Sequence, residues 1–241
     1  MTTRKLFPAL LFTLLAAAPA THPATTPASP AASAVPASAP AIAVNLSSPK
    51  ATVATFLRSL QAGDETAARE AITFGDKGDQ AMATLFLDLL FSTNAIQKAS
   101  RDRFGAGSTE AFGDPEAALK SRLAALDQAT PVITNNDAAV TLPDDAATNQ
   151  PGATISLKKL GNDWKIDAAS LFSLNSLAPE VLAQQVELGR QILLVNREVL
   201  AKIKAGDYQS ASEAHKDLWE RSFKAAQGVN GAATQAATTQ P

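Results

Sequence analysis

The stretch Leu160-Gly161-Asn162-Asp163-Trp164-Lys165-Ile166-Asp167 is the clearest fold signal in the chain. Its Gly-Asn-Asp run is typical of a tight turn, and the residues after the turn alternate between apolar and polar. Trp164 and Ile166 therefore share one face of a β-strand, while Lys165 and Asp167 share the other. Residues 154–157 before the turn also alternate with period two, so the region predicts neighbouring antiparallel strands.

Further toward the N-terminus, the turn residues Asn135-Asn136-Asp137 separate two short apolar runs at 132–133 and 140–142. This arrangement is typical of a β-hairpin. The segments together predict a small antiparallel sheet of three to four strands.

Helical patterns precede the sheet. Ser48 and Pro49 suit the cap and the first position of a helix, whose apolar positions recur at helical spacing: Val53, Phe56, Leu57 and Leu60. Gly63 ends this helix, and Asp64 caps a second short helix that we expect to run through Ile72. Residues 80–98 predict a buried helix because they are apolar nearly all round. Asp114-Pro115-Glu116 opens another helix.

The helical period returns after Pro179 and continues to Ala205. Gly206-Asp207 then turns the chain into a return helix. An apolar face on this helix is marked by Tyr208, Ala211, His215, Leu218, Trp219 and Phe223. We therefore predict an α+β protein in which N-terminal helices pack on the small antiparallel sheet, followed by a C-terminal antiparallel helical hairpin.

The chain begins with a pattern typical of a secretory signal peptide: Arg4-Lys5, an apolar run at 6–18 and small residues at Ala18 and Ala20. The apolar run is too short to span a bilayer. The predicted organisation is a signal peptide at 1–20, a disordered Ala/Pro/Ser/Thr linker at 21–46, an α+β domain at 47–175, a helical hairpin at 176–228 and a disordered tail at 229–241.

The amino-acid composition limits the kinds of site and partner that we expect for this chain. The chain has no cysteine, so it forms no disulfide and has no attachment point for a lipoprotein lipid. We therefore expect an exported protein, periplasmic or extracellular, that is not a lipoprotein and has no membrane span after cleavage. The chain carries 21 basic and 23 acidic residues, a balance that predicts no nucleic-acid partner. With two histidines, one of them in the linker, we predict no metal site and no cofactor.

The opening helix, the Ala-Gly-Asp turn after it and the late Gly-x-x-Trp-Lys-Ile-Asp strand resemble secreted bacterial members of the nuclear transport factor 2-like superfamily, whose fold is also called cystatin-like. The similar parts are residues 48–72 and 153–167. The resemblance implies helices that close a curved sheet into a cone. Enzymes of that superfamily place an ionisable side chain inside the cone as a general base or oxyanion partner.

Asp88 would be the counterpart of that side chain, since it is the one ionisable group in the apolar helix. Thr84 and Ser92, at i−4 and i+4, form a polar stripe with it, and the implied pocket lies near Asp88 and Trp164. The alternative is that the stripe is the solvent face of the helix and that Trp164 is a core anchor.

Other features have similarly open interpretations. Asp76-Lys77-Gly78-Asp79 and Asp144-Asp145 lack the order of a calcium loop and fit turns better. Lys98, Arg101 and Arg103 could hold an anion or form a solvated helix end. The wide apolar stripe at 181–203 makes a homodimer through this helix a hypothesis, because an uncovered stripe is an association surface.

The functional prediction is a non-enzymatic binding or interaction module of the cell envelope, whose partner is an unknown small molecule or an envelope protein. One alternative is a small-molecule-binding or lyase/isomerase-like member of the resembled superfamily. Another is a structural assembly element that acts through the hairpin.

Overall fold

The computed structural model describes residues 42–74, 77–144, 152–171 and 179–238. The predicted signal peptide and residues 21–41 of the predicted linker lie outside this range. Within it, the chain combines helices with one sheet and ends in a helical pair, so the predicted α+β class is confirmed.

The described helices are α1 (Pro49–Ala62), α2 (Glu65–Glu70), α3 (Lys77–Phe104), α4 (Gly107–Phe112), α5 (Pro115–Gln128), α6 (Ala168–Leu171), α7 (Pro179–Ala205) and α8 (Ala211–Thr238). The described strands are β1 (Ile72–Thr73), β2 (Val132–Thr134), β3 (Asp137–Leu142), β4 (Ala153–Leu160) and β5 (Asp163–Asp167).

The first two helices begin at the residues that the sequence predicts. Ser48 Oγ accepts a hydrogen bond from Ala51 N–H at 3.2 Å. Gly63 ends α1 in the left-handed conformation, with φ of 74°, which glycine adopts without a steric penalty. Asp64 Oδ1 then accepts from Ala67 N–H at 3.0 Å and caps α2.

The sheet has five strands in the order β1-β5-β4-β3-β2. Strands β2 to β5 are antiparallel neighbours, whereas β1 runs parallel to β5. The prediction of three to four antiparallel strands is corrected to five mixed strands. The end of the second helix is corrected too, because Ile72 pairs with Ile166 as a strand residue.

Helix α3 extends beyond the predicted buried segment in both directions, from Lys77 to Phe104. Gly105, with φ of 60°, turns the chain after it. The chain then forms the short helix α4, which the sequence did not predict. Helix α5 starts as predicted, with Asp114 Oδ1 accepting from the N–H groups of Glu116 and Ala117.

Two apolar clusters form the core. The first lies between the sheet and the N-terminal helices and includes Val53, Phe56, Leu87, Leu157 and Ile166. The second joins α3, α4, α7 and α8 and includes Ile96, Phe112, Val199, Ile203 and Leu218. Helix α7 contacts both α3 and α8, so the C-terminal hairpin packs on the rest of the chain.

Two predicted boundaries differ from the structure. Leu46 is buried, and its carbonyl accepts a hydrogen bond from Trp164 N–H at 2.8 Å. Packing therefore starts inside the predicted linker, because burying the apolar side chain of Leu46 in the core is more favourable than exposing it to water. Helix α8 continues to Thr238, into the predicted tail, whose alanines favour helix.

Candidate binding surface

The structure places Asp88 in an ion pair on the surface of α3. Its Oδ1 lies 2.8 Å from Arg69 Nη2 of α2, and its side chain is 32% exposed. Arg69 also lies 3.7 Å from Glu65, so two carboxylates share one guanidinium. This arrangement holds α2 against α3 by charge.

We expect the substitution Asp88→Asn to change the free energy of unfolding by less than about 1 kcal/mol, because partly exposed ion pairs contribute little net stability. Urea unfolding of the variant and of the wild type measures the difference. A loss of several kcal/mol would show instead that Asp88 is essential to the packing of α3.

The other two residues of the predicted stripe lie in different surroundings. Ser92 Oγ donates to Leu89 C=O at 2.9 Å and accepts from Asn196 Nδ2 of α7 at 2.8 Å. Thr84 is half-buried. Since Asp88 binds α2 and Ser92 binds α7, the stripe is divided between two neighbouring helices.

Trp164 is buried at the start of β5. Its backbone carbonyl accepts from Thr52 Oγ1 at 3.0 Å, and Lys159 Nζ lies 5.9 Å from the centre of its ring. The ring belongs to the first core cluster together with Leu46 and Val53. These contacts are those of a packing residue that ties the N-terminal segment and α1 to the sheet.

The apolar stripe at 181–203 is largely covered within the chain. Val199 and Ile203 are fully buried in the second core cluster. Val181 and Leu194 are its exposed large apolar side chains. The surface of this stripe that a second copy could reach is therefore small.

The hairpin is fastened by a cluster of charged and polar side chains at its turn. Asp217 Oδ2 accepts from Tyr208 Oη at 2.5 Å and from Lys202 Nζ at 3.2 Å. Arg221 lies 3.8 Å from Asp217 and also pairs with Glu198 of α7. We name these five residues the hairpin clasp, because they join α7 to α8 over about one turn of each helix.

The environment of the clasp shifts three pKa values. Burial raises the pKa of Tyr208, and its hydrogen bond to Asp217 raises it further. Burial alone would raise the pKa of Asp217, but the hydrogen bonds from Tyr208 and Lys202 outweigh it and hold that pKa below its ordinary value. The hydrogen bond to Glu198 raises the pKa of Arg221. Each charged group of the clasp thus has a hydrogen-bonding or oppositely charged partner within the clasp, which indicates a structural role.

Two aromatic side chains stand exposed on the helix that the clasp holds. Trp219 is 44% exposed and Phe223, one turn further along α8, is 55% exposed. Aromatic side chains of this size are usually buried, so an exposed pair at one helical turn is informative. We name this pair the α8 ledge.

The ledge continues from an aromatic contact between α4 and α8, in which Phe112 is buried and His215 is half-buried. The rings of Phe112 and His215 meet edge to face, with centres 5.2 Å apart. Gln97 Nε2 of α3 donates to Phe112 C=O at 3.0 Å, which fixes the end of α4. His215, Trp219 and Phe223 recur every four residues, so they lie along one side of α8.

A second exposed apolar site lies on the edge strand β2, where Val132 and Ile133 are exposed. This strand has three residues and follows Pro131, which has no N–H to offer a pairing strand. Short edge strands next to proline are protected against pairing. The α8 ledge is therefore the stronger candidate for a binding surface.

Lys98 and Arg101, two of the three basic residues considered at the end of α3, are paired with acids. Lys98 Nζ lies 3.0 Å from Asp102, and Arg101 pairs with Glu116 and Asp114. These pairs favour the solvated helix end over an anion site. Among the described residues, no three His, Asp or Glu side chains come together in a way that could hold a metal ion.

No protein-family model matches the chain, and no curated protein or solved structure matches it significantly. The resemblance to the nuclear transport factor 2-like superfamily therefore stays a prediction. Within the described ranges, no helix has both the length and the apolar character needed to cross a bilayer.

The sequence predicts one apolar face on α8 that includes Leu218, Trp219 and Phe223, whereas the structure divides these residues between a buried and an exposed side. Consecutive residues such as Leu218 and Trp219 lie about 100° apart around a helix, so they face different directions. Ala214 and Leu218 are buried, and Trp219 and Phe223 point away from them. Placing the residues at about 100° intervals around the helix axis separates the buried Ala214 and Leu218 from the exposed Trp219 and Phe223.

Proposed function

We propose that the protein is a non-enzymatic interaction module of the cell envelope that binds short, extended peptide segments through the α8 ledge. The observation that carries the proposal is the exposure of Trp219 and Phe223 on a helix that the hairpin clasp holds in place. Trp is enriched among the side chains that dominate binding energy at interfaces.

The kind of partner follows from the shape and chemistry of the ledge. Two aromatic rings one helical turn apart form a narrow apolar platform, and extended segments rich in proline dock on aromatic platforms of this kind. A short peptide fits this platform better than the large flat surface of a folded protein.

The location in this proposal, the cell envelope, rests on the predicted signal peptide. In this proposal the chain is exported and meets its partners in the cell envelope. A small apolar ledge suits weak and reversible recognition. The pocket alternative has less support, because Asp88 is paired with Arg69 at the surface and Trp164 is buried in the core.

The test uses peptides selected from a random phage-displayed library against the full chain. We expect the double substitution Trp219→Ser and Phe223→Ser to weaken binding of the selected peptides at least about thirtyfold, because the loss of one interface aromatic that contributes about 2 kcal/mol already gives that factor. Fluorescence anisotropy of labelled peptides measures the dissociation constants.

The matched control is the double substitution Lys216→Ser and Gln227→Ser, which changes two exposed polar residues of the same helix. Its peptide affinity should equal that of the wild type, and both double variants should keep the wild-type circular dichroism. Selection of no peptide, or equal affinity of the aromatic double variant, would overturn the proposed function.

A further inference from the structure

The size of the ledge limits what can cover it. Fully buried Phe and Trp side chains each remove about 150–250 Å² from solvent, so two half-exposed rings offer roughly 200 Å². A stable complex buries about 800 Å² on each partner. A second copy of the chain would thus gain too little at the ledge, whereas a tethered segment needs only weak affinity, because its effective concentration is high.

We propose that residues 21–41 of the same chain dock on the α8 ledge in cis and compete there with other peptides. This inference rests on the proposed function, because it assigns the regulation of the same surface. The segment contains five prolines, at positions 23, 27, 30, 36 and 40, and no Asp, Glu, Lys or Arg.

The composition of the segment fits the ledge. Pro27-Ala28-Ser29-Pro30 places two prolines three residues apart, the repeat of a polyproline II helix. Prolines on one ridge of such a helix stack on aromatic rings, and the fixed proline φ angle lowers the entropy lost on docking. The absence of these charged residues means that no ion loses its hydration when the segment packs on the rings.

The described chain starts at a fixed point within reach of the ledge. Ile42 N–H donates to Asp64 Oδ2 at 3.2 Å, which anchors the end of the segment at the turn between α1 and α2. From there, contacts lead to the ledge in three steps: Asn94 Nδ2 to Leu60 C=O at 2.8 Å, Gln97 to Phe112, and Phe112 to His215.

Those three steps join neighbouring helices, whose axes lie about 8–10 Å apart, and α8 adds about 12 Å from His215 to Phe223. The steps along α1 from Asp64 to Leu60 and along α3 from Asn94 to Gln97 add about 6 and 5 Å, so the path is shorter than about 55 Å.

The segment of residues 21–41 spans about 65 Å as a polyproline II helix. Pro23 lies 19 residues before Ile42, about 59 Å in that conformation, and Pro27 lies 15 residues before it, about 46 Å. The prolines at the N-terminal end of the segment are therefore the ones that reach the ledge, with the residues between them and Ile42 extended.

Photo-crosslinking in the full chain tests the inference. We expect Phe223→p-benzoylphenylalanine to crosslink to residues 21–41 within the same molecule on irradiation, with a yield that does not change on dilution. Mass spectrometry of the digested monomer identifies the crosslinked residue. The control is Lys224→p-benzoylphenylalanine, an exposed position of α8 about 140° around the helix from Trp219 and about 100° from Phe223, which should give a much lower crosslink yield to the segment.

Quenching of Trp219 fluorescence by acrylamide is the second measurement. If the tethered segment covers the ledge about half of the time, replacing its five prolines by glycine should raise the quenching constant of Trp219 about twofold. Trp164 is buried and adds little to the quenching. An unchanged quenching constant, or crosslinks only to a second molecule, would overturn docking in cis.

The two proposals fail in distinguishable ways. Loss of peptide binding in the aromatic double variant, without a crosslink from position 223 to residues 21–41, supports the proposed function and overturns docking in cis. Equal peptide binding by the aromatic double variant and the wild type overturns the proposed function itself, whatever the crosslinks show.

Discussion

The substitution Ile166→Ala is expected to lower the free energy of unfolding by about 3–4 kcal/mol. Ile166 is 0% exposed in β5 and lies in the first core cluster. It faces Ile72 on one side and Leu157 on the other, so its loss leaves a cavity in the centre of the sheet. Truncation of a buried Ile to Ala costs both the transfer energy and the cavity.

Urea unfolding, followed by circular dichroism, measures this loss as a lower midpoint, by roughly 1.5 M for a slope near 2 kcal/mol per M. Ile166→Val should cost about a third as much. The control is Leu160→Ala in β4, because Leu160 is half-exposed and its truncation leaves no cavity. A midpoint for Ile166→Ala near that of Leu160→Ala would contradict the central position of Ile166.

The same residue illustrates what the sequence could predict. Trp164 and Ile166 alternate with Lys165 and Asp167 after a Gly-Asn turn, and this local pattern predicts a strand with a known buried face. The structure has β5 at 163–167, with Trp164 and Ile166 buried. Helix caps at Ser48, Asp64 and Asp114 were predictable for a similar reason, because each cap acts within three residues of itself.

Features that depend on distant parts of the chain were not predictable. Strand β1 has two residues, and it becomes a strand through its parallel pairing with β5, about 94 positions later in the chain. The pairing of Asp88 with Arg69 depends on how α2 packs against α3. The sequence showed a lone carboxylate in an apolar helix, and its partner came from another helix.

The hairpin shows the same division between local and distant information. Its two helices follow from the periodicity of the apolar residues, and its turn follows from the Gly206-Asp207 pair. In the structure Gly206 has φ of 85°, a conformation that glycine adopts readily. What covers the stripe at 181–203 does not follow, because an apolar stripe fits any apolar neighbour. In the structure α3 and α8 cover it, and the exposed aromatic surface lies on α8 instead.

The hairpin clasp leads to the second large expected effect. We expect Asp217→Ala to lower the free energy of unfolding at pH 7 by about 2 kcal/mol, because the substitution leaves the Tyr208 hydroxyl, on a buried residue, without its acceptor. Asp217→Asn keeps an acceptor oxygen and should lose less. Glu220→Ala is the matched control, since Glu220 is exposed on the same helix and makes only a 3.9 Å pair with Lys216.

The pH dependence of this loss tests its electrostatic origin. The hydrogen bonds from Tyr208 and Lys202 hold the pKa of Asp217 below its ordinary value, so the carboxylate binds a proton more readily in the unfolded chain. Its contribution is therefore fully present above the unfolded pKa of about 3.9 and is lost as pH falls through the lower folded pKa. The difference in unfolding free energy between the wild type and Asp217→Ala should stay constant from about pH 5 to 8 and narrow below about pH 4. A difference that is the same at pH 3 and pH 7 would show that Asp217 acts through packing and not through its charge.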